Sequence, residues 1–306
     1  MNVVVTGGAG YLGSVLIERL LRKQNVIVWD SLLYGVAGVV PYIRHPRFRL
    51  VRGDIRDFDW VGDYSPIVHL AALVGEPLCN KYPDLARDVN LHATMTIADY
   101  AQDANTHLIY ASTCSNYGVS DGLATEESPL NPWGVYAETK VKAEDYIRRH
   151  VDYYTILRFP TLFGISPRTR FDVMVNAWVL DASLNGEICV YSPESYRPHL
   201  YVGDAARAID HIIHAYRAFN EAFNIGAPAN NLTKMQLATK IKAALPHTDI
   251  KQVDRGDKRN YRVDFTKFNN TFNFGEYQSV DYGIREVIEY LPHLETHHTN
   301  HFPRFS

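Results

Sequence analysis

Short apolar runs alternate with helical patterns through the first half of the chain. Asn2 to Thr6, Val26 to Asp30, Arg49 to Asp54, Ile67 to Ala71, Leu108 to Ser112 and Thr155 to Phe159 each read as a strand. Between the first two, Leu12, Val15, Leu16 and Leu20 recur at helical spacing and supply one apolar face. Strand, helix and strand in that order form a βαβ unit. Its repetition predicts an α/β fold, a doubly wound parallel sheet (Rossmann fold) with helices on both faces. From about Ser166 onward the pattern loosens, with Pro167, Pro193, Pro198 and Pro228 punctuating shorter elements. The expected organisation is a Rossmann domain over residues 1–165, rejoined by residues near 198–226, and a smaller C-terminal α/β lobe from the remainder of 166–306.

Composition narrows this picture without redrawing it. A chain of 306 residues that is 46% apolar can bury a substantial core. The formal net charge is -3, from 31 basic and 34 acidic residues, so no global field favours nucleic acid or a membrane surface. A small anionic substrate needs only a few local arginines. Cys79, Cys114 and Cys189 lack the spacing of a zinc site or a disulfide framework, which fits a reducing cytoplasm. No apolar run reaches ~18 residues and the first residues already read as a strand, so neither export nor membrane insertion is expected. His293, His297, His298 and His301 cluster near the C-terminus at a spacing that fits no closed metal site; we expect a solvated tail and no metal.

The first strand runs into Thr6-Gly7-Gly8-Ala9-Gly10-Tyr11-Leu12-Gly13. Glycines there let a tight turn bring backbone N–H groups against a pyrophosphate, and the helix start adds its positive dipole end. A lone glycine triplet is as often a plain turn. Here it follows a strand, opens a helix and precedes Asp30 at the end of the second strand, about twenty positions on. That carboxylate can accept bonds from adenosine ribose hydroxyls and would repel a 2′-phosphate, so the expected cofactor is NAD, not NADP.

Tyr136-Ala-Glu-Thr-Lys140 opens a helical stretch through Arg149, and a spacing of four stacks the tyrosine and the lysine on one face. A nearby ammonium would draw the phenol from its usual ~10 toward neutrality, making Tyr136 a usable general base. The same spacing also describes an ordinary solvated helix face. The strand Leu108 to Ser112 delivers Thr113 to a carboxyl end of the sheet, where its hydroxyl could hold the oxygen that Tyr136 deprotonates.

With these residues in view, the chain resembles the extended short-chain dehydrogenase/reductases of the nucleotide-sugar epimerase and dehydratase group. The matching pieces, in order along almost the whole length, are TGGAGYLG, WDSLLYG, GDIRD, HLAALVG, STCSNYG, YAETK, LRFPTLFG, RPHLYVGD and NIGAP. The resemblance implies that Thr113, Tyr136 and Lys140 are the catalytic trio. It implies a cofactor set of Gly7, Gly10, Tyr11, Leu12, Gly13, Asp30, Asp54, Ile55, Leu70, Ala71, Ala72 and Pro160, with Tyr136 and Lys140 shared. It further implies a nucleotide-diphosphate sugar as substrate, contacted by Thr113, Thr161, Asn176, Arg197 and Arg259, and a homodimer through helices Asp84 to Ala104 and Tyr136 to Arg149. The apolar faces of those helices could equally pack on the sheet.

In that family the sugar hydroxyl, usually at C4, loses its proton to the tyrosine as hydride passes to NAD. The ketosugar's fate then defines the enzyme. Similar 4,6-dehydratases carry an acidic pair after the threonine, and similar decarboxylases keep a glutamate at the second position; here Cys114 and Ser115 stand there. Both reactions are disfavoured. Cys114 is more readily a small space-filling residue than an acid or base. Thr161 replaces the usual asparagine of similar epimerases, and Ser166 to Asn176 departs from the UDP-galactose type. The expected activity is C4 oxidation to a transient 4-ketosugar with hydride return, an epimerase. The alternatives are a 4-dehydrogenase that releases the ketosugar and a non-catalytic NAD-binding sensor or scaffold.

Overall fold

A computed structural model describes residues 1–59, 66–215, 220–254 and 259–293. The first half contains β1 (Asn2–Thr6), α1 (Tyr11–Leu20), β2 (Asn25–Asp30), β3 (Phe48–Arg52), β4 (Ile67–His69), α2 (Glu76–Lys81), α3 (Pro83–Arg87) and α4 (Ala93–Asp103). There follow β5 (Leu108–Thr113), β6 (Val119–Ala124), α5 (Val135–His150), β7 (Tyr154–Phe159), β8 (Thr161–Phe163), α6 (Met174–Asn185), β9 (Glu187–Val190), β10 (Tyr196–Tyr201), α7 (Val202–Ile213) and β11 (Glu221–Asn224). The last part holds β12 (Asn231–Thr233), α8 (Lys234–Ala244), β13 (Asp249–Gln252), β14 (Asn260–Val263), α9 (Thr266–Phe272) and α10 (Val280–Tyr290).

Seven parallel strands form the central sheet in the order β11-β7-β5-β4-β1-β2-β3, the doubly wound arrangement expected from the alternating pattern. The chain reverses its direction of winding between β1 and β4. A crevice therefore opens at their carboxyl ends, where Thr6 and His69 stand side by side. α1 and α7 cover one face through Leu16, Ile17, Leu20, Ala205, Ile209 and Ile212. Ile97, Ala98 and Ala101 of α4, with Ala143 and Ile147 of α5, cover the other. The apolar faces of α4 and α5 are thus spent on the sheet. Truncating a buried residue such as Ile17 or Ile97 to alanine would cost about 2–5 kcal/mol.

A smaller lobe is built around β8-β10-β12 and the β9–β13 pair. Its separate core gathers Phe163, Val175, Val179, Leu237, Ile241, Ile284 and Val287.

Three local departures from the sequence pattern have physical causes. β3 stops at Arg52, because the Asp54 carboxylate accepts from the Arg56 N–H and caps a short 3-10 turn, Ile55–Asp57. β4 stops at His69, and Leu70 to Ala72 leave the sheet along the glycine loop. The expected helix Asp84 to Ala104 is broken by a π-helical turn, Asp88–His92, that turns Asn90 inward. Its amide brackets Leu73, accepting from the N–H at 2.8 Å and donating to the carbonyl at 2.9 Å. Such turns recur where a helix must place one residue out of phase. His297, His298 and His301 lie outside the described residues, and among the described residues no metal-capable cluster gathers. Among the same residues no helix is long and apolar enough to cross a membrane.

Candidate active site at the carboxyl edge of the sheet

The glycine loop joins β1 to α1 at the crevice. Gly7 has φ +71°, and a Cβ there would sit 2.6 Å from the Ala71 nitrogen; one on Gly13 would sit 2.6 Å from the Gly7 oxygen. Only glycine fits either position. The start of α1 carries neither a side-chain cap nor an acidic residue in its first turn, so its N–H groups and dipole face the crevice unopposed. Asp30 closes the loop from β2: its carboxylate accepts from the Ala9 N–H at 2.9 Å and the Leu32 N–H at 2.7 Å. Burial pushes its pKa upward against those two bonds. Leu70 and Ala71 pass beside Gly7, with their N–H groups donating to the Thr6 carbonyl and hydroxyl. Ile55 is buried next to Asp54, whose carbonyl accepts from the Trp29 indole. A cradle closed to any Cβ, an open helix start and a carboxylate at the end of β2 fit a dinucleotide.

Beneath the loop, His69 is buried between the hydroxyls of Thr6 (2.7 Å) and Thr94 (2.9 Å). Burial holds its ring down to about 3, so it is a neutral structural group.

Next along the edge, β5 delivers Thr113 and α5 delivers Tyr136, close enough for the threonine hydroxyl to act on the phenol. Lys140 is buried one turn on. Its ammonium donates to the Ala111 carbonyl at 2.9 Å, lies 4.6 Å over the Tyr110 ring, and is pushed down to about 8 by burial. The expected pull of Lys140 on the phenol is not what governs Tyr136 here. Burial raises the phenol above its ordinary value, and the cation that draws it back is Arg170. Lys140 is turned instead toward the β5 backbone.

Several residues that shape this site escaped the sequence reading. Glu76 caps α5, accepting from the N–H groups of Tyr136 (3.2 Å) and Ala137 (3.1 Å). Gly134, at φ +92°, leaves it room, since a Cβ would meet the carboxylate at 2.1 Å. Glu144 stands a further turn along the Tyr136 and Lys140 face and holds Arg158 of β7 (2.7 Å) in a buried ion pair. Ser112 donates to the same carboxylate at 2.5 Å, and Asn116 at 2.9 Å. Glu144 thus ties both β5, through Ser112, and β7, through Arg158, to the helix of Tyr136. Cys114 is fully buried and its thiol donates to the Arg158 carbonyl at 3.3 Å, while burial raises its pKa well above the usual thiol range.

The expected substrate residues are dispersed. Thr161 is half-buried on β8, next to buried Pro160 and paired in register with His199. Asn176 is fully buried: its amide accepts from the Gly164 N–H (3.0 Å) and donates to the carbonyls of Gly164 (3.0 Å) and Arg170 (2.9 Å). It also donates to Tyr11 (3.3 Å), whose hydroxyl donates to the Gly164 carbonyl (2.6 Å). Tyr11 and Asn176 therefore join the start of α1 to the loop after β8. Arg197 is buried, donates to the Arg259 carbonyl and lies 5.4 Å from the Tyr261 ring. Arg259 lies 6.0 Å from the Trp133 ring, close enough for its charge to act on Glu76.

A doubly wound sheet with a dinucleotide cradle beside a threonine, tyrosine and lysine defines an NAD-dependent enzyme class. Residues 3–226 match the NAD dependent epimerase/dehydratase family, and the chain belongs to it. It is 29% identical to the low-salt glycan biosynthesis protein Agl12 of Haloferax volcanii over 95% of this chain and 98% of that one. It is 30% identical to UDP-glucuronic acid decarboxylase 6 of Arabidopsis thaliana over 87% and 82%. Among solved structures, UDP-glucuronic acid 4-epimerase from Bacillus cereus, in complex with UDP-glucuronic acid and NAD, superposes with a TM-score of 0.87 at 20% identity, over 96% of this chain and 100% of that one. NAD is the cofactor of this family, and both the Arabidopsis decarboxylase and the Bacillus cereus 4-epimerase are named for UDP-glucuronic acid.

Proposed function

We propose that this protein is a nucleotide-sugar epimerase that oxidises C4 of its substrate to a transient 4-ketosugar and reduces it again on the other face. Bound NAD supplies the two-electron acceptor and donor. Tyr136, beside Thr113 and acting as the phenolate, takes the proton of the sugar hydroxyl and returns it; Thr113 holds that oxygen through both halves of the cycle. Lys140, anchored on the Ala111 carbonyl, keeps a cation beneath the site. Arg197 and Arg259 stand as the diphosphate-binding cations, with Thr161 beside the sugar.

The observation that carries the reading is the pair of residues after Thr113. Elimination and decarboxylation each call for a carboxyl group there. Cys114 instead turns into the core, and the Ser115 hydroxyl lies 3.4 Å from that of Tyr261. What the site retains is reversible oxidation. The relative that decarboxylates therefore differs in the fate of the ketosugar. A homodimer is part of this reading, testable by light scattering.

The test is mass spectrometry of UDP-, GDP-, CDP- and dTDP-sugars after incubation with protein and NAD. A product of unchanged mass and altered chromatographic position is expected. Loss of water or of carbon dioxide from the sugar sinks the proposal.

A further inference from the structure

Two arginines leave the loop that follows β8, and their surroundings differ. Arg170 is neutralised by Asp172, donating at 2.9 and 2.6 Å. Arg168 forms no ion pair among the described residues, and its guanidinium instead lies 4.2 Å over the ring of Tyr34. Tyr34 stands four residues past Asp30, on the loop leaving β2, with 39% of its surface exposed. The charge of Arg168 reaches Asp30 itself. A half-buried cation in no close ion pair among the described residues, on which Asp172 and Asp30 act at longer range, therefore projects from the smaller lobe to the adenosine end of the dinucleotide cradle.

Its presentation is fixed in advance. The Ser166 N–H donates to the Thr169 hydroxyl (3.0 Å), which donates back to the Ser166 carbonyl (2.7 Å), and the Arg168 N–H donates to the Ser166 hydroxyl (3.1 Å). The Arg170 carbonyl is held by Asn176. The turn is thus rigid, and the side chain rests on an aromatic face that leaves its N–H fork open.

Among the described residues, the glycine loop and the first turns of α1 carry no such cation. The glycine loop and the start of α1 offer N–H groups and a dipole, but the basic residue of α1 is Arg19 in its last turn, paired with Asp210. A dinucleotide's diphosphate carries two negative charges, which a guanidinium can meet with two bonds at once. We propose that Arg168, seated on Tyr34, is a clasp from the smaller lobe that closes on the diphosphate of NAD and grips the cofactor from both lobes. The inference rests on the NAD site and is independent of whether the enzyme epimerises. A diphosphate is also present in the nucleotide sugar; the proximity of Asp30 and Tyr34 assigns Arg168 to the cofactor.

The experiment is titration of NAD-stripped protein with NAD and, separately, with UDP, for the natural chain, Arg168→Ala, Arg168→Lys and Tyr34→Ala. Thermal melts without ligand check folding, which a half-exposed site leaves intact. Arg168→Ala is expected to weaken NAD binding by about tenfold or more, with Arg168→Lys and Tyr34→Ala in between and UDP binding unchanged. NAD affinity equal to that of the natural chain overturns the proposal. So does a loss confined to UDP, which would move Arg168 to the substrate.

Discussion

The polar face of α5 and the arginines that surround it solve opposite problems. Lys140 and Glu144 are bonded to fixed protein groups, an Ala111 carbonyl and an Arg158 guanidinium, before any ligand arrives. Arg168 and Arg259 lie near the rings of Tyr34 and Trp133, whereas Arg197, near Tyr261, is buried and already donates to the carbonyls of Tyr196 and Arg259. The difference teaches that the helix of Tyr136 and Lys140 is held still by a hydrogen-bonded frame, whereas a planar cation resting on a ring, as Arg168 does, keeps its donors for a phosphate.

The sharpest break in this comparison is Tyr136→Phe. Sugar turnover should fall by about 10³-fold while NAD titration stays unchanged, since only the proton carrier is removed. Unchanged turnover would remove Tyr136 from the chemistry.

Next is the frame itself. Arg158→Met leaves Glu144 buried without its cation and should lower stability in urea by about 3–5 kcal/mol. Arg259→Ala should leave the urea midpoint in place and weaken UDP binding by about tenfold. Equal loss of stability in both variants would erase the distinction between frame and ligand contacts.

A smaller effect comes from Lys140, held down to about 8 from an ordinary amine value of 10.5. It is cationic below about 8 and neutral above, so turnover that needs the ammonium should decline as pH rises through that value. In Lys140→Arg any residual activity should lose this alkaline limb.

The mildest effect per residue is predicted for His69, His107 and His199, kept neutral by burial at about 3, 4 and 3 against an ordinary 6.5. The unfolded chain takes up these protons first, so stability is full above pH 6.5 and falls toward pH 4. Urea titrations at pH 7.5 and 5 should differ by roughly 1–2 kcal/mol per histidine.

The regular parts of this arrangement were legible in local spacing. The βαβ alternation revealed the sheet, the glycines and Asp30 the turn where β1 and β2 meet, and the four-residue step from Tyr136 to Lys140 their shared helix face. Glu144 continues that step, but its partner Arg158 lies on another strand and no local pattern joins them. Asn90 was hidden inside what read as one helix, because its role depends on a π turn and on Leu73. Asn176 read as a substrate contact, yet its amide is engaged by Tyr11, Gly164 and Arg170, partners brought together by folding. Contacts within one element carry a period; contacts between elements carry none.

The measurement that reaches the central claim most directly follows a deuterium placed at C4 of the accepted nucleotide sugar. Return of the same hydride inside one closed cycle predicts that the epimerised product keeps the label at C4 and that no reduced cofactor accumulates. Label appearing in released NADH, with an unlabelled ketosugar as product, would contradict the account and make the enzyme a dehydrogenase.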